Sequence, residues 1–169
     1  MSASPGVQIE PLSDRHDRAR FESGVEPLDR YLRLQAGQDV RRRVASCFVL
    51  ISGGQTSPLG FYTLAATGLS LAELPEDLAK RLPRYPVIPA TLMGRLAVDH
   101  RHRGRRLGEL LLFDALSRAL RSEIASFAFV VDAKDEGAAA FYARYQFLPL
   151  SQNGSRLFVP MAEVAKLFA

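Results

Sequence analysis

Arg103-Gly104-Arg105-Arg106-Leu107-Gly108 puts three arginines and two glycines into six residues. The stretch before it, TLMGRLAV from Thr91 to Val98, has the β-branched and apolar content of a buried strand. The stretch after it repeats Leu107, Leu111, Ala115 and Leu112, Leu116, Leu120 at helical spacing. A glycine-rich turn from strand to helix leaves backbone N–H groups free at the helix N-terminus. Together with the guanidinium charges, that geometry suits an anion such as a pyrophosphate.

Charge along the chain sharpens this. The whole protein carries only +4 in 169 residues. Between Lys80 and Arg106, however, eight basic residues (Lys80, Arg81, Arg84, Arg95, Arg101, Arg103, Arg105, Arg106) face the single acid Asp99, a net +7. A field of that kind favours a polyanion: a phosphorylated cofactor, a nucleic acid, or both. Arg30, Arg33, Arg41, Arg42 and Arg43 form a second basic group, nearly balanced by nearby acids.

Other chemistries find little support. No Gly-Lys-Ser/Thr follows the loop glycines, and three glycines at GxGxxG spacing are absent, so neither a P-loop nor a dinucleotide fingerprint is present. His100 and His102 lack a Cys or carboxylate cluster at ligand spacing, so no metal site is expected. The single Cys47 lies mid-strand with no charged activator adjacent, and reads as a small buried hydrophobe. One cysteine cannot form an internal disulfide, no apolar run reaches membrane-span length, and no basic-then-apolar signal opens the chain. The expected location is cytoplasmic, with no membrane partner.

The elements that must position the loop follow from periodicity and punctuation. Residues 1–8 read as frayed, and Ile9–Leu12 as a short strand. Asp14–Phe21 is too charged for core. Pro27 opens a helix to about Gly37, with Leu28, Leu32 and the Tyr31–Leu34 pair inward. Val44–Ile51 and Leu59–Thr67 form an antiparallel hairpin about Gly53-Gly54 and Pro58. Leu74–Leu82 is a short helix, and Pro83, Pro86 and Pro89 force an extended link to a strand at Thr91. After the loop and its helix come a buried strand at Ser126–Ala133 and a helix at Asp135–Tyr145. A strand near Leu148 follows, then a turn at Asn153-Gly154, a last strand at Arg156–Pro160 and a closing helix with Val164, Leu167 and Phe168 inward. One domain, residues 1–169, is expected, of α+β class: a mixed, mostly antiparallel sheet flanked by helices.

Taken together, LAVDHRHRGRRLGELLL and VVDAKDEGAAAFYARYQF resemble the GNAT superfamily of N-acetyltransferases. That family's acetyl-CoA loop has the form Arg/Gln-x-x-Gly-x-Gly/Ala. Arg103 matches its first position and Gly108 its last, whereas Arg106 stands at the middle glycine, where a helical φ would still present its amide. FESGVEPLDRYLRLQAGQD, GFYTLAA, RLPRYPVIPATLMGRLAVD and RLFVPMAEV narrow the resemblance to the acetyltransferase toxins of bacterial toxin–antitoxin pairs. Members of that branch acetylate the α-amino group of aminoacyl-tRNA and so block translation.

The resemblance implies a GNAT fold, with acetyl-CoA as cosubstrate against a splayed central strand at Leu96, Ala97 and Val98. It implies that the pyrophosphate rests on the amides of Arg103, Gly104, Arg105, Arg106, Leu107 and Gly108, with the arginines adding charge. From the residues alone Tyr142 is a core aromatic beside Phe141 and Tyr145. By resemblance it is the general acid towards the departing sulfur, with a reference pKa of about 10. No general base stands out. A lysine amine with a pKa of about 10.4 would need one, whereas an α-amine near 8 is already partly neutral. Lys80, Arg81 and Arg84, helped by Arg33, Arg41, Arg42 and Arg43, are candidate contacts to the tRNA backbone. A ribbon–helix–helix antitoxin and a homodimer are further implications. Two other readings stand beside this one: an ordinary GNAT N-acetyltransferase of a small amine or protein N-terminus, and a non-catalytic basic nucleic-acid-binding domain.

Overall fold

The computed structural model describes residues 6–150 and 153–169. In chain order the elements begin with strand β1 (Val7–Pro11) and a helical run of α1 (Glu26–Arg30), a π-helical turn (Tyr31–Gln35) and α2 (Ala36–Arg41). Strands β2 (Ser46–Ser52) and β3 (Gly60–Leu69), helix α3 (Glu76–Ala79) and strand β4 (Ile88–Val98) follow. The second half holds α4 (Leu107–Arg121), β5 (Ala128–Asp132), α5 (Glu136–Ala143), β6 (Leu148–Leu150), β7 (Asn153–Pro160) and α6 (Met161–Leu167). The strands hydrogen-bond in the order β1-β2-β3-β4-β5-β7-β6. β1–β2, β2–β3, β5–β7 and β6–β7 pair antiparallel, and β4–β5 pair parallel across the α4 connection. The α+β class, the element order and the mixed sheet agree with the sequence expectation.

Two compact units make up the chain, residues 1–65 with 94–115, and residues 66–93 with 116–169. The first has its core where Cys47, Val49 and Ile51 on one face of β2 meet Phe21, Tyr31, Leu32, Phe61 and Ala97. Phe21 packs edge-on against Phe61 at 5.6 Å between centroids. Pro27 and the acids Glu26 and Asp29 lie in the first turn of α1. Arg43, at φ +59°, ends the run: its amide donates to Val40 O and that of Val44 to Asp39 O. Those two bonds form a Schellman cap carried by arginine instead of glycine. The second unit buries Leu69, Leu74, Ala90, Ala128, Val130, Leu150 and Phe158. Asp135 caps α5 by accepting from the Ala138 amide at 2.8 Å.

Several expectations change. Leu34 is 63% exposed, because the π-helical turn shifts the helical phase and leaves Tyr31 and Leu32 inward without it. Phe21 and His16 are buried within the segment read as too charged for core. His16 is accommodated because its Nδ1 accepts from the Ser13 amide and its Nε2 lies 3.0 Å from Glu10. The helix at Leu74–Leu82 contracts to α3, after a 3-10 turn at Leu71–Glu73 whose Ser70 amide donates to Glu73. Strand β4 starts at Ile88, not Thr91, with Pro89 inside it; Pro89 still offers its carbonyl to the Phe127 amide. Asn153 and Gly154 open β7 instead of forming the turn. In α6 only Val164 is buried, whereas Leu167 at its end and Phe168 just beyond it are 42% and 40% exposed, since seven residues present just one inward position. The part of the expected frayed start at residues 1–5 lies outside the described residues.

Candidate active site

In the first unit the loop leaving β4 is held by a dense set of polar contacts. Asp99 is 1% exposed. Its carboxylate accepts from the Arg101 amide (3.0 Å), Arg101 Nε (2.9 Å), Arg101 Nη2 (2.7 Å) and the Glu22 amide (3.1 Å). Burial alone would raise its pKa, but these donors outweigh it and hold the carboxyl well below the usual carboxylate range. Beyond Arg101 the loop is open: Arg103, Gly104, Arg105 and Arg106 are all exposed. Gly104 has φ +80° and Arg106 φ +58°, with Arg105 between them at negative φ. Such alternation turns successive N–H groups to one side, as in the backbone nests that hold anions. The first turn of α4 adds the amides of Leu107 and Gly108, which have no intrahelical carbonyl to serve.

Arg106 therefore departs from the expected right-handed helical φ. It takes the left-handed conformation for which a glycine carries no steric cost. The register between β4 and β5 covers only Ala90–Met93 against Ala128–Val131, and Gly94–Val98 continues beyond its end.

In the second unit Tyr142 is 4% exposed on α5. Its ring lies 5.2 Å from Phe141 and 5.4 Å from Phe147, and Tyr145 packs on Phe141 at 5.4 Å. Burial first, and the charge of Asp132 second, push the phenol pKa well above its ordinary value. The group is held neutral, with its proton in place, through the whole physiological range.

Comparison with known proteins places this arrangement. Residues 90–166 match the model of the acetyltransferase (GNAT) domain. The probable toxin TacT of Sinorhizobium fredii is 30% identical over 169 aligned residues, covering 94% of this chain and 93% of that protein. The chain belongs to the GNAT acetyltransferases. A tRNA-acetylating toxin of Mycobacterium tuberculosis is 36% identical over 138 residues, covering 80% of this chain and 81% of that protein. Among solved structures, AtaT complexed with acetyl-methionyl-tRNA superposes with a TM-score of 0.88 at 29% identity, over 96% of this chain and 99% of that one. A mutant AtaT toxin bound to the C-terminus of the antitoxin AtaR and acetyl-CoA gives 0.82 at 25% identity, over 97% and 99%.

As a GNAT protein the chain is an acetyl-CoA-dependent N-acetyltransferase. The residues present fit that cosubstrate: the alternating φ at Gly104–Arg106 and the first-turn amides of α4 form an exposed anion cradle, and nothing lies within 4 Å of a Cβ built on Gly104. One of the N–H groups of Arg103, on Nη2, donates to the Ser23 carbonyl, which ties this side chain to the segment before α1. Arg105 Nη1 lies 3.2 Å from His102 Nδ1.

The basic residues expected to meet tRNA divide. Arg33 is engaged, donating to Phe21 O at 2.8 Å and to Glu26 at 3.3 Å. Arg41, Arg42 and Arg43 are exposed at the C-terminal end of the α1–α2 run, where they also complement the helix dipole. In the second unit Lys80, Arg81 and Arg84 are exposed; Lys80 pairs loosely with Glu76 at 3.7 Å and Arg81 with Asp77 O at 3.4 Å. Cys47 is buried, and burial pushes its thiol up to about 12, which suits a core residue and not a nucleophile. Among the described residues no group of three His, Cys, Asp or Glu is placed to hold a metal ion, and no helix is long and apolar enough to cross a membrane. Sequence reasoning missed the clamp formed by Asp99 and Arg101. One signal was available, since Asp99 is the only acid in a run of eight bases.

Proposed function

We propose that the protein is the toxin of a toxin–antitoxin pair and transfers an acetyl group from acetyl-CoA to the α-amino group of aminoacyl-tRNA, blocking translation. The observation that carries this reading is the extent of the similarity. The likeness to toxins covers 94% and 80% of the chain, well beyond the 90–166 segment common to GNAT domains at large.

Bound acetyl-CoA supplies an activated thioester. The backbone amides of Arg103, Gly104, Arg105, Arg106, Leu107 and Gly108 would hold the pyrophosphate, and the backbone of Leu96, Ala97 and Val98 would line the pantetheine. The amine's lone pair forms the new C–N bond as the C–S bond breaks. Tyr142 Oη gives its proton to the leaving sulfur, and the amine releases one to solvent. A phenol kept protonated by burial suits that donor role. An aminoacyl α-amine, with a reference pKa of about 8, is partly neutral at pH 7 and needs little help from a base.

Lys80, Arg81, Arg84, Arg41, Arg42 and Arg43 contact tRNA phosphates in this proposal. Reversing charge at Arg81 and Arg84 weakens tRNA binding and flattens its salt dependence; unchanged acetylation would remove them from the interface. A ribbon–helix–helix antitoxin, a homodimer, a cytoplasmic location and one acetyltransferase domain over residues 1–169 complete the reading. Strands β3 and β4 each contribute residues to both compact units, in keeping with one domain.

The test is incubation with labelled acetyl-CoA and total charged tRNA, followed by hydrolysis. Label on the α-nitrogen of a released amino acid supports the reading. Label on polyamines or protein N-termini, with none on tRNA, overturns it in favour of an ordinary acetyltransferase.

A further inference from the structure

Four residues far from the loop in sequence, Arg20 to Ser23, spend all four of their carbonyls near it or on the helical run that follows. Arg101 Nη2 donates to Arg20 O at 2.9 Å, Arg33 Nη1 to Phe21 O at 2.8 Å, and the His100 amide to Glu22 O at 2.9 Å; Arg103 Nη2 donates to Ser23 O. Two amides of the same segment go to buried carboxylates. Glu22 N–H donates to Asp99 at 3.1 Å, and Ser23 N–H and Oγ–H donate to Asp29 Oδ1 at 2.9 and 2.5 Å. Asp29 and Asp99 are each 1% exposed. Phe21 anchors the segment in the core.

We propose that Arg20–Ser23 is a strap that sets the shape of the acetyl-CoA loop, with Asp99 and Arg101 as its positioning residues and Arg103 acting through Ser23 and not on the phosphate. The proposal rests on the acetyltransferase chemistry of the family and not on the identity of the acceptor. Three physical points carry it. A loop with alternating φ has little regular hydrogen bonding of its own, so its shape must come from outside. The residues immediately before the cradle, 99–101, are bound to the strap from both backbone and side chain. Arg103, the first residue of the cradle, is anchored there too, and Gly24 leaves it no slack: a Cβ on Gly24 would lie 2.9 Å from Arg103 Nη2. Arg33 belongs to the same device, which removes it from the list of tRNA contacts.

Positioning of this kind governs pyrophosphate binding and leaves the chemical step alone. The variants Asp99→Asn and Arg101→Gln are compared with the unmodified protein by calorimetric titration of acetyl-CoA and by kinetics with two donors, acetyl-CoA and acetyl-pantetheine. Acetyl-pantetheine lacks the pyrophosphate. Acetyl-CoA should bind about tenfold more weakly to each variant, by the cost usual for a slightly misplaced binding group. KM for acetyl-CoA should rise by the same factor, with kcat within about twofold. Turnover of acetyl-pantetheine should match the unmodified protein. Equal losses with both donors would reduce the strap to general stability, and unchanged acetyl-CoA binding in a folded Arg101→Gln variant would also overturn the proposal. Arg33→Gln should leave the salt slope of tRNA binding unchanged; a slope reduced by about one would return Arg33 to the interface. The titration reads the strap even if no charged tRNA is acetylated.

Discussion

The arginine-rich loop of the first unit, proposed to hold acetyl-CoA, is exposed, cationic and shaped by hydrogen bonds, whereas Tyr142 of the second is buried, neutral and shaped by aromatic packing. The loop borrows its form from Asp99, Asp29 and the strap at Arg20–Ser23, residues up to 81 positions away in sequence. Tyr142 takes its setting from Phe141 on its own helix and Phe147 just beyond it. The two regions should therefore fail in different ways. Removing charge disturbs the loop and spares the tyrosine. Removing one oxygen disables the tyrosine and spares the loop.

The largest expected effect tests the second half of that contrast. Tyr142→Phe keeps the ring and its packing, so the fold and acetyl-CoA affinity should hold while kcat falls by about 10²–10⁴-fold, the usual contribution of a general acid. Stopped kinetics with retained acetyl-CoA binding is the expected pair of results; retained turnover would leave Tyr142 as a core aromatic only. The pH profile carries a second check. Burial raises the phenol pKa above its ordinary value of about 10. kcat/KM should thus rise with pH through the ionisation of the substrate amine near 8, with no falling limb from Tyr142 below about pH 10.

Gly24→Ala tests the loop side through sterics. Gly24 has φ +94°, and its added methyl would meet Arg103 Nη2 at 2.9 Å. Left-handed strain of this size costs about 1–3 kcal/mol, read as a lower urea midpoint. The same variant should weaken acetyl-CoA binding, because the guanidinium must move off Ser23. A variant equally stable and equally tight would separate the strap from the loop.

A smaller effect comes from proton linkage at Asp99. Its folded-state pKa is depressed below the unfolded value of about 3.9, so the unfolded chain binds the proton first as pH falls. The stabilisation is complete above about pH 4 and is lost progressively as pH drops through the depressed value. Asp99→Asn should be less stable than the unmodified protein at pH 7, and the gap should narrow below pH 4. A gap independent of pH would mean that the carboxylate's charge contributes nothing to the clamp.

These contrasts also explain what could be read from the residues. The helix from Leu107 and the apolar strand that forms β5 were legible because periodicity and run length are local. So was the order of elements. Leu34 was not, because a π-helical turn changes the helical phase and leaves no compositional mark. Phe21 and His16 were hidden for a related reason: their burial depends on partners such as Phe61 and Glu10 that supply packing and hydrogen bonds. In the site, the arginine-rich loop was visible as a composition. That Arg33 and Arg103 each donate to a backbone carbonyl was not, since only the folded chain defines where those carbonyls lie. Tyr142 enters the proposed site only by resemblance, as its surroundings are those of any core aromatic.

Arg106 offers the finest test, because it sets local backbone strain against charge at one position of the loop. It stands where the family's motif has glycine, and it takes φ +58°. An L-residue there costs roughly 1 kcal/mol relative to glycine, partly offset because glycine loosens the unfolded chain. Arg106→Gly should thus shift stability upward by a few tenths to about 1 kcal/mol, seen as a slightly higher urea midpoint. If the backbone amides carry the pyrophosphate, acetyl-CoA affinity at moderate salt should be unchanged or slightly tighter, since the cradle keeps its shape. If the guanidinium carries it, affinity should fall, and fall most at low salt, where an exposed charge is least screened. The first outcome makes the loop a backbone device whose arginines serve the wider field. The second gives Arg106 a direct role in place of the missing glycine, binding the cosubstrate by its side chain.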